Sequence, residues 1–202
     1  DGARMSVLTA LLRLRQVCCY PALLPGGAAR ALAGGAKRER FRELLREARE
    51  GGHRVLVFSQ FVSMLELLRA EVAADGVPHA WLTGASVDRA DQVRRFQGGG
   101  CGIFFLSLKA GGYGLTLTAA DTVILYDPWW NPAVESQAID RAHRIGQARA
   151  VNAYRLVTRG TVEEKILLLQ KKKRGASSSV LGDDAAALAP LGDDDLRDLL
   201  GI

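Results

Sequence analysis

Residues 55–106 read VLVFSQFVSMLELLRAEVAADGVPHAWLTGASVDRADQVRRFQGGGCGIFFL, and the rhythm of this stretch decides the fold. Val55 to Phe58 is an apolar run too short for a helix, which predicts a buried strand. Ser59 stands where a helix cap belongs, and leucines recur at helical spacing from there to about Ala74. His79 to Leu82 reads as a second strand. Thr83-Gly84 then leads into a helix from Ser86, with Ala90, Val93 and Phe96 on one face. Ile103 to Leu106 is a third strand. Further on, Thr122–Tyr126 and Val151–Val157 predict a fourth and a fifth, separated by a helix from Pro132 to His143. Thr161 followed by Glu164 is a capping box for a helix reaching about Lys173. Ahead of the first strand, residues 5–17 and Lys37–Glu50 both have helical patterns, the second ended by Gly51-Gly52. Apolar strands alternating with amphipathic helices predict an α/β fold: a parallel sheet with helices on both faces and flanking helices at either end.

The 202 residues suit one domain with appendages. We divide them into a leading helix and Pro/Gly-rich connector (1–36), an α/β body with its closing helix (37–174) and an acidic, partly flexible tail (175–202). The chain opens on Asp1 without a charged-then-apolar leader, the expectation for a fragment lacking a secretory signal. Its apolar runs are too short to span a bilayer, so no membrane partner is expected. Cys18 and Cys19 are adjacent, Cys101 stands apart, and His53, His79 and His143 are scattered, which gives neither a disulfide scaffold nor a zinc spacing. Ordinary thiols in a reducing compartment, cytoplasmic and nucleoid-associated or nuclear, are expected. The net charge of +5 hides an asymmetry: the tail holds six acids and one base, net −5, leaving +10 on the body. A basic body suits a polyanion. The run Lys171 to Arg174 reads equally as a solvated helix end. Asp193 to Leu200 is expected to form a short helix that competes with such a polyanion for the body.

Ligands of open α/β sheets bind beyond the carboxyl ends of the strands. The segments to read are therefore Ser59-Gln60, Thr83-Gly84, Ser107–Gly114 and Asp127–Pro132. A phosphate-binding G-x-x-x-x-G-K-[ST] loop is absent, as are a strand ending in Asp-Glu, a G-x-G-x-x-G fingerprint and a nucleophile elbow. Alone, the chain has half a chemistry at most. In Gln137-Ala-Ile-Asp-Arg-Ala-His-Arg-Ile-Gly-Gln147, Arg141 and Arg144 are three apart, so on a helix at the carboxyl edge they share a face and can clamp phosphate oxygens. The alternative is a surface pair bonded to Asp140 and Glu135. Leu106–Leu117 offers a glycine loop and Lys109 for a phosphate, or merely a tight turn. In Tyr126-Asp-Pro-Trp-Trp-Asn-Pro132, one of the adjacent tryptophans is expected to face a groove, unless both pack against helices.

Together, VLVFSQF, LTGASVDRADQVRRF, LSLKAGGYGLTLTAADTVILYDPWWNP and QAIDRAHRIGQ resemble motifs IV, IVa, V and VI of the Swi/Snf-type DNA-translocating ATPases of helicase superfamily two. LRQVCCYP and EEKILLLQKKK resemble that family's flanking helices. The resemblance runs over residues 5–174 and covers the second of two RecA-like lobes. It implies that Arg141 and Arg144 are arginine fingers for ATP with Mg²⁺, held mainly by the first lobe, with Gln137, Asp140, Gly112 and Gly114 supporting that site. It places Ser59, Gln60, Ser107, Lys109, Gly111 and Trp130 along double-stranded DNA. The implied partners are duplex DNA, the first lobe and a DNA-bound protein target; the implied activity is DNA-dependent ATP hydrolysis and translocation. Arg89, Val93 and Phe96 would order their helix, and Glu163–Lys173 would brace toward the first lobe. Thr116, Tyr113 and Tyr20 depart from the family's usual Asn, small residue and His. A non-catalytic helicase-derived binding module, and the nucleotide-sugar half of a glycosyltransferase, share the architecture.

Overall fold

In the computed structural model, which describes residues 2–24, 35–111, 114–173 and 192–200, strand β1 (Val55–Ser59) is buried along its whole length. It lies at the centre of a five-stranded parallel sheet ordered β2-β3-β1-β4-β5, with β2 at His79–Leu82, β3 at Ile103–Ser107, β4 at Thr122–Leu125 and β5 at Asn152–Arg155. A central strand with both faces covered has no solvent side, which is why β1, β3 and β4 are apolar without alternation. The edge strand β5 is exposed at every position and carries a polar sequence, Asn-Ala-Tyr-Arg.

Eight α-helices are described: α1 (Gly2–Cys19), α2 (Ala36–Glu50), α3 (Val62–Ala74), α4 (Arg89–Gln97), α5 (Leu108–Gly111), α6 (Pro132–Ile139), α7 (Val162–Lys173) and α8 (Asp193–Leu200). Two apolar layers sandwich the sheet. Phe41 and Leu44 of α2 and Met64, Leu65 and Leu68 of α3 bury Val55, Val57, Ile103 and Phe105. On the other face Leu56, Phe58, Phe104 and Leu106 meet Leu11 of α1, Phe96 of α4, Val134 of α6 and Ile166 of α7. Leu196 and Leu199 of α8 join this second layer, so the flanking helices are built onto the sheet's own core. Each large apolar side chain removed from water contributes about 1.5–3 kcal/mol.

The predicted strands all form. Two helix starts differ. Ser59 does not cap α3: its hydroxyl accepts the Phe61 N–H at 3.0 Å two residues ahead of the helix. Ser86 instead closes a turn on Thr83, accepting the Thr83 N–H at 2.9 Å, and α4 starts only at Arg89. α7 starts where predicted, directly after Thr161; the Thr161 hydroxyl accepts the Glu163 N–H and the Glu164 carboxylate accepts the Gly160 N–H, each bond one residue N-terminal to that of a regular capping box. The predicted 193–200 helix is present as α8, joined to α7 by Lys172–Asp198 at 3.1 Å.

Candidate functional site

Helix α6 carries the chain away from the sheet's carboxyl edge. Asn131 starts it, accepting the Ala133 N–H at 2.9 Å, and Pro132 occupies the first turn, where its missing N–H costs nothing. The helix stops at Ile139, well short of the predicted His143, and the backbone turns through 140–146. Gly146, at φ +102°, permits the last part of that turn. Arg141 and Arg144 therefore do not share a helix face, as their spacing predicts. Arg141 is buried at 6% exposure, and Arg144 is exposed.

Both arginines nevertheless converge on one segment. Arg144 Nη1 donates to the Thr116 hydroxyl at 2.9 Å and to the Gly114 carbonyl at 3.3 Å; Arg141 Nη1 donates to the Leu115 carbonyl at 3.4 Å. The Arg141 carbonyl accepts the Leu117 N–H at 2.9 Å. This segment, 114–120, leads into the start of β4. The arginine turn thus sits beside the glycine loop's exit, not at the strand ends where carboxyl-edge chemistry was expected. Nor do these arginines pair with Glu135, which instead accepts Arg155 Nε at 2.5 Å. Burial, reinforced by the Arg144 cation, pushes the Arg141 guanidinium below its ordinary value, with Asp140 opposing. Its Nε is buried without a hydrogen-bond partner.

Gln147 fastens the turn. Its amide donates to the carbonyls of Thr118 (3.1 Å), Ala120 (2.6 Å) and Ala142 (3.1 Å), and its oxygen accepts the Arg149 N–H at 2.9 Å. Two residues on, Arg149 meets Asp121 at 2.9 Å, beside His53 at 3.0 Å. Reading the motif for charge drew attention to its arginines and passed over this glutamine. A signal was there: a lone amide closing a Gly-containing turn is a natural partner for carbonyls that no helix satisfies.

At the carboxyl edge, Ser59 and Ser107 face each other across β1 and β3. Ser59, expected on the DNA track, has no exposed surface, and its hydroxyl donates to the Asp127 carboxylate. Ser107 is also buried and accepts the Ala110 N–H at 3.2 Å. Gln60 is half-buried, and both polar atoms of its side chain are buried without partners. Lys109 is exposed on α5, just past β3, and Gly111 closes that helix. Gly112 and Tyr113 lie outside the described residues. Gly114 adopts φ +62° with open space around it. Gln137 is half-buried on α6, and Asp140 is exposed at its end. Trp129 and Trp130 are both buried, at 4% and 3%, which overturns the expectation that one faces a groove. Their rings instead flank the Arg15 guanidinium, with centroids at 5.7 and 4.7 Å.

Cys19 and Cys101 are buried and Cys18 half-buried, all as free thiols whose pKa burial raises. Among the described residues no group of three or more His, Cys, Asp or Glu is placed to hold a metal ion, and no helix is long and apolar enough to cross a membrane.

Residues 36–146, which run from the start of α2 through the arginine turn, match the helicase conserved C-terminal domain. The chain belongs to that family. Among relatives of this helicase lobe, the chromatin-remodeling ATPase INO80 of Aspergillus clavatus is 47% identical over 140 residues, and that of Neurospora crassa 46% over the same length. These matches cover 68% of this chain but only 8% and 7% of the relatives, so the chain spans under a tenth of their length. Solved structures agree. The Sulfolobus solfataricus SWI2/SNF2 ATPase core in complex with double-stranded DNA is 35% identical, with a TM-score of 0.75 over 96% of this chain and 41% of that one. The C-terminal domain of the same ATPase is 32% identical, with a TM-score of 0.70 over 96% of this chain and 80% of that one. The helicase lobe here is accordingly RecA-like and of the Swi2/Snf2 type.

Proposed function

We propose that this chain is the C-terminal motor lobe of a double-stranded-DNA-dependent ATPase that translocates along duplex DNA and remodels protein–DNA complexes. The observation that carries the reading is the arginine turn: one exposed guanidinium and one buried guanidinium with an unsatisfied Nε, both anchored on 114–120. Such a pair fits the oxygens of a phosphate chain. On closure against a first lobe, Arg144 and Arg141 would meet the γ-phosphate of ATP, supplying fixed positive charge where negative charge develops. In other NTPases an arginine so placed is worth roughly 10³–10⁵ in rate. Gln137 and Asp140 would steady the turn from α6, and Gly112 and Gly114 would let the loop approach closely. Mg²⁺, which neutralises phosphate charge when bound, would be held by the first lobe.

Lys109, Gln60 and Gly111 would face the DNA backbone, with Ser107, Ser59 and Trp130 shaping that surface from beneath. Phosphate contacts of this kind are salt-sensitive and nearly blind to sequence. A solved neighbour holding double-stranded DNA and relatives described as chromatin-remodeling ATPases support this partner, a DNA-bound protein target and a nuclear or nucleoid setting. The test is ATP hydrolysis by the protein carrying both lobes, with and without duplex DNA, wild type beside Arg144→Ala. DNA-stimulated turnover that collapses in the variant is the expected result. Undiminished turnover in Arg144→Ala removes the arginine finger, and no turnover in either protein leaves a binding module.

A further inference from the structure

Arg15 belongs to α1, yet its guanidinium lies at the carboxyl edge of the sheet, at 1% exposure. Nη2 donates to the Pro128 carbonyl at 2.7 Å and stands 3.5 Å from the Asp127 carboxylate. The cation is over the ring of Trp130 at 4.7 Å and that of Phe61 at 5.6 Å. Asp127 in turn accepts the Ser59 hydroxyl and, at 3.4 Å, the Gln60 N–H. One side chain of the leading helix is thus in contact with the loop after β4 and one bond from the loop after β1. The same β4 loop is held from the other side. Gln170 of α7 donates to the Trp129 carbonyl and, at 2.8 Å, to Glu135, which accepts the Trp129 N–H at 2.7 Å. Asp127–Asn131 is therefore gripped by both flanking helices, and it leads directly into α6 and the arginine turn.

Stability does not account for such a pair. Taking two charges out of water costs several kcal/mol each, and apolar side chains of similar volume hold a fold as well or better. Directed bonds to Pro128 and Asp127, with a flat cation between aromatic rings, fix where the loop sits; an apolar side chain cannot.

We propose that Arg15 is a positioning residue that makes the two carboxyl-edge loops move with α1 as one unit, so that DNA bound at those loops is felt at the arginine turn and sets ATP turnover. The proposal rests on the motor reading above. In Arg15→Lys the ammonium would reach Asp127 or Pro128 as a point charge, without the planar stack.

The experiment compares wild type, Arg15→Lys, the charge-free double variant Arg15→Met/Asp127→Asn and Arg144→Ala in the protein carrying both lobes. It measures ATP turnover with and without duplex DNA, KM for ATP, and thermal unfolding by tryptophan emission. Arg15→Lys and the double variant should each cut DNA-stimulated kcat at least about 5-fold, the low end of measured couplings between sites. DNA-independent turnover and KM for ATP should stay at wild-type values, because neither variant alters the arginine turn itself. The double variant leaves no buried charge unpaired, so its unfolding midpoint should stay within about 4 °C of wild type. Wild-type stimulation in the double variant overturns the proposal. So does a parallel fall of basal and stimulated turnover that follows the loss of folded protein. If wild type shows no DNA-stimulated turnover, the motor reading fails; if wild type is stimulated, Arg144→Ala is inactive and both Arg15 variants are stimulated normally, only the present inference does.

Discussion

Arg144 donates to the hydroxyl of Thr116 at 2.9 Å, and this bond spans the two segments whose juxtaposition makes the candidate site. Thr116 stands where the resembled family often has Asn, and its hydroxyl supplies an acceptor without the amide. Thr116→Val keeps the shape and removes that acceptor. Losing one such bond costs about 1 kcal/mol. We expect ATP turnover of the two-lobe protein to fall about 5-fold, with unchanged thermal unfolding. Turnover equal to wild type would mean that the Gly114 carbonyl alone orients Arg144.

Gln147 holds the arginine turn against 118–120 through the Thr118 and Ala120 carbonyls and also bonds the turn's own Ala142 carbonyl. Gln147→Ala removes the donor to the Thr118 and Ala120 carbonyls, at a cost of about 1–3 kcal/mol, whereas the Ala142 carbonyl keeps the Arg144 N–H. Gln147→Glu should be worse at neutral pH, because an ionised carboxylate only accepts and would face three acceptors. Urea unfolding of this chain checks both, and Glu outperforming Ala would rule the geometry out.

Asp127 and Asp121 make stability respond to pH in opposite senses. Burial pushes the Asp127 carboxyl up to about 6, against the pull of Arg15, the Ser59 hydroxyl and Lys37, with Glu163 adding to the rise. The folded state thus holds this proton more tightly than the unfolded chain, whose Asp titrates near 3.9. That contribution is full below about 3.9 and is lost as pH rises through about 6, at up to about 1.4 kcal/mol per pH unit. Burial also raises Asp121, but hydrogen bonds from His53, Arg149 and the Arg54 N–H outweigh it and lower the carboxyl overall. Its contribution is present above about 3.9 and lost as pH falls through the lowered value. Asp127→Asn should therefore flatten the stability profile between about pH 4 and 6 and leave the more acidic limb in place. Urea midpoints at successive pH values read this directly; an unaltered slope would assign it to another group.

Leu199 of α8 is 2% exposed in the layer that also holds Leu11 and Ile166. Leu199→Ala should weaken the docking of α8 by about 2–3 kcal/mol, near the lower end for buried leucines because a terminal helix can readjust. Hydrogen exchange of the 193–200 amides should then quicken while β1 amides stay protected. Equal acceleration in both would show that α8 opens only with the whole lobe.

The sequence alone determined the five strands, their parallel pairing and the family. Buried strands must be apolar throughout, and the motif blocks occur in order, so both signals are local in the chain. It also located 193–200 as a helix. The placement of charged and aromatic side chains was decided only by the tertiary structure. Spacing put Arg141 and Arg144 on one helix face, but α6 ends at Ile139, and the carbonyls beyond it, those of Arg141 and Ala142, accept the Leu117 N–H and the Gln147 amide instead. Adjacent tryptophans looked too large to bury together until Arg15, more than a hundred residues earlier, provided a cation for both rings. Ser59 looked exposed at a strand end, yet Asp127, just past the neighbouring strand, takes its hydroxyl. In each case the deciding partner is distant in sequence, and periodicity or capping rules, which compare residues a few positions apart, contain no information about it.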